Sequence, residues 1–182
     1  MTKLSHAKKS ILTAACIALC VVLPMAFHSI PNAGSIFCPM HIPVLLCGLI
    51  CGWQYGLLCG LAGPVVSSLL TQMPPLAMLP SMMIELAVYG IVTGFLMKAI
   101  RTKKLYADLY ISLILAMLAG RMAAGAAKAL IFAAGEYSLA TWITGHFVTA
   151  FPALIIQLAL IPTIVVALEK ARLIPRRYPK ND

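Results

Sequence analysis

Long apolar runs, broken at intervals by Gly, Pro and Asn, fill the chain from Ser10 onward. A helix needs roughly 20 apolar residues to cross a bilayer, and the runs predict about six such crossings. The first extends from about Ser10 to His28 and stops at the turn-forming Ser29-Ile30-Pro31-Asn32-Ala33-Gly34. The second starts near Pro39 and reaches Cys51, and the third continues to about Leu70. Both are short for a span and suit a thinned or protein-lined path. Gly52-Trp53-Gln54-Tyr55-Gly56 between them is expected to form a tight turn with an interfacial Trp and Tyr; one long kinked helix is the alternative. Beyond Met73-Pro74-Pro75, a fourth helix is predicted over about Leu79 to Met97 and a fifth over Asp108 to Ala133. The Gly135-Glu136-Tyr137-Ser138 break then leads to a sixth over Thr141 to Leu168.

Composition supports an all-α membrane protein. Hydrophobic residues make up 62% of the chain and charged residues 10%, with a mean hydropathy of +0.96. Soluble domains are about half apolar and a quarter charged. A single transmembrane domain over residues 1–182 is expected in a prokaryotic plasma membrane. Residues 1–9 would form an N-terminal tail and 170–182 a basic C-terminal tail. A cleaved leader is not expected, because no small-residue cleavage site follows the apolar run after Lys8 and Lys9. No GxxxxGK[ST] phosphate loop is present, so ATP hydrolysis must come from partners. The six cysteines include no CxxC pair and read as small packing residues. No metal or cofactor is expected.

The charge of +9 could point to nucleic acid, but its placement argues otherwise. Lys3, Lys8 and Lys9 precede the first helix. Lys98, Arg101, Lys103 and Lys104 lie between the fourth and fifth, and Lys170, Arg172, Arg176, Arg177 and Lys180 follow the sixth. With six crossings, all three clusters share one side, which the positive-inside rule makes cytoplasmic. Both termini are therefore expected in the cytoplasm.

Arg121 and Lys128 stand outside these clusters, inside the fifth helix and seven positions apart on one face. An Arg or Lys at a helix centre costs about 2.5–3.5 kcal/mol on insertion scales. Glu85, His146, His28 and His41 are expected at similar depth, and Gln157 deeper, whereas the inner half is nearly free of ionisable groups. This layout suggests an outward-open pocket with an excess of positive charge, suited to an anion or zwitterion. Alternatively, Lys128 snorkels to the surface and Glu85 and Arg121 form a structural ion pair.

Small residues suggest close helix approach. Ala14 and Ala18 form a small-xxx-small pair, Gly48, Gly52, Gly56 and Gly60 recur every four residues, and so do Ala119, Ala123 and Ala127. Such faces serve internal packing or partner contacts.

Taken together, these features resemble the substrate-binding (S) component of an energy-coupling-factor (ECF) vitamin transporter. The AxxxA pair at Ala14 and Ala18 is similar to the family signature that docks on the transmembrane coupling subunit. Cys38-Pro39-Met40-His41-Ile42-Pro43-Val44-Leu45-Leu46 and the following glycines resemble the start of that family's second and third helices. The resemblance implies vitamin capture from outside beneath a lid of outer loops, here Ser29–Cys38, Thr71–Leu79 and Gly135–Ser138. It also implies toppling and inward release when the coupling subunit and two ATPases act. Glu85, Arg121, Lys128 and His146 would line the pocket. An Arg-bound carboxylate fits pantothenate first, then biotin, lipoate or a folate. Three other readings compete: nickel or cobalt uptake through Met25, His28, Cys38, Met40 and His41, an intramembrane enzyme using Glu85 and His146, and a bare channel or structural membrane protein.

Overall fold

The computed structural model describes residues 4–27, 32–132 and 137–178, which form helices and connections with no strand among them. Helix α1 (His6–Ala26) begins where Ser5 Oγ accepts the Lys8 N–H at 3.3 Å. A short α2 (Ala33–Phe37) leads to α3 (His41–Cys51), α4 (Trp53–Thr71), α5 (Leu79–Ala99) and α6 (Leu105–Ala127). The chain closes with α7 (Leu139–Ile143) and α8 (Phe151–Lys170). π-helical turns extend α6 over Lys128–Phe132 and α7 over Thr144–Thr149. Among the described residues, six stretches are long and apolar enough to cross a membrane, as the hydrophobic pattern predicts.

Two boundaries differ from that pattern. Gly52 alone makes the turn between α3 and α4, with φ 95° and ψ 172°, a conformation that the lack of a Cβ makes accessible. Trp53-Gln54-Tyr55-Gly56 is therefore the first turn of α4, a full-length span of 19 residues; α3 has 11, and with the end of α2 before it forms the 18-residue stretch Gly34–Cys51. The sixth helix is not continuous either. It breaks at Ala150 (φ −86°, ψ 9°), two residues before Pro152, whose ring and missing N–H are tolerated only in the first turn of a new helix.

Helices in lipid gain little from excluding water, so close packing has to hold them together. Helix α5 lies against α3, α4 and α6. A Cβ on Gly48, Gly56 or Gly60 would collide with the backbone of α5 at Gly90 or Leu86. The glycine repeat is thus an internal seam, apart from Gly52 in the turn. Helix α1 packs on α3 and α4 through Thr13, Cys20 and Pro24. Its other side, including Ile11, Ala14, Ala18, Val22 and Met25, is exposed.

The described parts of the three basic clusters meet at one end of the bundle. Ser5 and Lys8 line a cavity of about 570 Å³ with Glu169, Arg172 and Arg176. Beside it the tail folds back on the α5–α6 connection. Arg177 Nε donates to the fully buried Asp108 carboxylate at 2.6 Å, and its guanidinium also reaches the Ile100 carbonyl. Tyr178 O–H, Thr102 O–H and Thr102 N–H donate to the same carboxylate, at 2.5, 2.6 and 2.9 Å. The expectation that this half is nearly free of ionisable groups is therefore wrong. Asp108 escapes the desolvation cost because a residue 69 positions downstream supplies its counterion. Removing one partner of a buried ion pair costs about 3–5 kcal/mol; Arg177 keeps some access to water, which favours the lower figure. Asp108→Ala should lower the melting temperature clearly in detergent, and Lys98→Ala should not. Equal melting of the two variants would deny the clasp a structural role.

Candidate functional site

At the other end of the bundle, α3, α5, α6 and the turn before α8 bring polar side chains together. His41 opens α3, with Nε2 3.4 Å from Glu85 Oε1. Glu85 lies in the second turn of α5 and is 7% exposed. One turn further on, Tyr89 donates its O–H to the same oxygen at 2.8 Å, and its ring meets His41 edge-on at 5.3 Å. Gly120 makes this possible, since a Cβ there would occupy the Tyr89 ring. His146 Nδ1 approaches Glu85 Oε1 at 3.9 Å from the π turn Thr144–Thr149.

Arg121 is placed differently. It is 1% exposed, yet Nε, Nη1 and Nη2 all lack a hydrogen-bond partner among the described residues. Its Cζ lies 5.6 Å from the Phe147 ring centroid. Trp142 Nε1 donates to the Arg121 carbonyl at 3.0 Å, and the indole packs where a Cβ on Gly125 would stand. The alternative of a structural Glu85–Arg121 ion pair fails here. Glu85 is engaged by His41, His146 and Tyr89, and the guanidinium remains unpaired.

The other expected residues are more scattered. Lys128 starts the π turn at the end of α6, half-buried, with Nζ 5.8 Å from the Tyr137 ring centroid. His28 lies outside the described residues, as do parts of the expected lid loops. Of the proposed metal cluster, Met25 is exposed and Met40 is buried in the core. No group of three or more potential His, Cys, Asp or Glu ligands stands together among the described residues.

Two groups at the site carried no assigned role in the sequence. Tyr89 is four positions from Glu85, a helical spacing that signals a possible contact. Gln157 is fully buried, and its Nε2 faces the Cys38 carbonyl at 3.5 Å. That carbonyl also accepts the His41 N–H at 3.1 Å. A lone Gln within the apolar run of α8 is the sequence signal for it. The π turns, which place Lys128, His146 and Phe147, leave no comparable mark.

A family model for the ECF transporter substrate-specific component matches residues 8–165. The chain belongs to this family. It is accordingly a multi-pass cell-membrane protein and a transport subunit, not an enzyme. Substrate binding for ECF uptake, in association with an ECF module of coupling and ATPase subunits, follows from the same membership. No curated protein and no solved structure matches the chain.

In an S component without ligand, the Arg121 and Glu85 environments should respond oppositely to truncation. An unsatisfied buried polar group costs about 1–3 kcal/mol, more when charged. Arg121→Met removes such a group at similar volume, so the unliganded protein should melt at the same or a higher temperature. Glu85→Ala strips the acceptor from Tyr89 and His41 and should lower melting by a comparable free energy. A lower melting temperature for Arg121→Met would show that the guanidinium holds the fold.

Proposed function

We propose that this S component binds a small organic carboxylate at the Arg121 end of the bundle and delivers it to the ECF module for uptake. The unpartnered guanidinium carries this reading. A planar fork of N–H donors suits a carboxylate, which can accept two parallel hydrogen bonds from it. The Glu85 carboxylate does not oppose such a ligand, because two histidines and a tyrosine already engage it. Lys128 at the rim adds positive charge for capture. The excess of basic residues at the opposite end orients that end to the cytoplasm and the site outward.

Pantothenate is the lead ligand, and biotin and lipoate belong to the same carboxylate class. The exposed Ala14 and Ala18 on α1 form the face offered to the transmembrane coupling subunit, while two ATPases supply the energy. Small side chains there allow a partner helix to approach closely.

Binding and uptake should separate by position. Arg121→Ala should weaken pantothenate binding by tenfold to several hundredfold, since a charge-assisted hydrogen bond contributes roughly 1.5–3 kcal/mol. Lys128→Ala should cost much less, because water can replace an ammonium at the rim. Ala14→Trp and Ala18→Trp should leave affinity nearly unchanged and abolish uptake. The measurements are titration in detergent and radiolabelled uptake with the ECF module. Equal affinity in Arg121→Ala and wild type would remove the carboxylate site; loss of binding in the tryptophan variants would make the α1 face internal packing.

A further inference from the structure

Two more buried atoms at this site have no partner among the described residues: Gln157 Oε1 and His41 Nδ1. Gln157 is fully buried and His41 is 4% exposed. His41 faces the Glu85 carboxylate through Nε2, so only Nδ1 remains for a ligand. The Cys38 carbonyl can only accept, so the Gln157 amide turns its NH₂ toward it and points Oε1 away. Gln157 Oε1 is therefore an acceptor, whereas Arg121 is a donor. Gln157 and His41 belong to one site, because the Cys38 carbonyl joins the His41 backbone to Gln157.

We infer that the ligand carries an O–H or N–H donor in addition to its carboxylate, and that Gln157 selects for it. The ligand is thus a hydroxy, amide or ureido acid. The inference rests on the carboxylate reading of Arg121 and extends it to the second half of the ligand. A site built to hydrogen-bond a donor rejects an analogue lacking it, because the acceptor is then left buried and unpaired. Pantothenate, with hydroxyls and an amide, and biotin, with ureido N–H groups, meet this requirement. Lipoate has a carboxylate and a dithiolane ring but no further donor, and does not.

The test is titration of pantothenate, biotin and lipoate into the full chain in detergent, wild type and Gln157→Met, with melting of both unliganded proteins. The expected result is that lipoate binds wild type about 100-fold or more weaker than the better of the other two. Gln157→Met should weaken that better ligand by about 10- to 100-fold, narrow the gap to lipoate, and leave unliganded melting unchanged or raised. Lipoate binding as tightly as the donor-bearing acids, or a gap unchanged in Gln157→Met, would overturn the inference and leave the carboxylate reading intact. Melting lowered by several degrees would make Gln157 a structural residue and overturn it as well. If none of the three acids binds wild type, the carboxylate reading fails and takes the inference with it.

Discussion

A guanidinium buried in a membrane protein keeps its charge, and water is too distant to solvate it. Arg121 meets this constraint only in part. The Phe147 ring lies near its charge, and Trp142 ties down its backbone carbonyl, but no side-chain nitrogen is hydrogen-bonded among the described residues. The nearby carboxylate that could neutralise it is occupied elsewhere: Glu85 is drawn to His41, His146 and Tyr89. An unpartnered buried charge of this kind costs the folded protein stability, which the proposed anionic ligand would restore. Such trade-offs are common where binding requires polar groups to be held ready.

The bundle keeps this site apart from its other polar cluster. Helix α5 runs between them, carrying Glu85 near one end and reaching the Arg177-bound Ile100 carbonyl at the other. Along its length, Gly90 and Leu86 receive the glycines of α3 and α4, so backbones rather than side chains meet in this seam. Close backbone packing makes α3, α4 and α5 a firm support for His41 and Glu85. By contrast, α1 touches the bundle with one side and leaves Ala14 and Ala18 bare.

The number of spans, the grouping of the basic clusters at one end and the placement of Arg121 and Glu85 inside spans were legible in the sequence. Each rests on a large energetic penalty, for exposing apolar surface to water or burying charge in lipid, and such penalties mark composition strongly. Partnerships were less legible. Glu85 and Arg121 invite pairing by charge alone, and only the packing of α3 against α5 gives Glu85 to His41 instead. Asp108 near the start of the fifth span looked unremarkable because its counterion, Arg177, is distant in sequence and sits among topology-setting charges. The Gly52 turn was placed correctly but drawn too wide, since sequence marks a permissive residue without fixing its φ. The π turns depend on hydrogen-bond register, which residue identity barely constrains.

We propose that the Arg121 guanidinium holds the carboxylate of a small organic ligand. Native mass spectrometry of the protein extracted from the cells that make it tests this most directly, because it requires no prior choice of ligand. Wild type should retain a small organic acid, and Arg121→Met, folded and inserted, should retain none. A metal ion or a neutral compound on wild type, or the same acid retained by Arg121→Met, would contradict it.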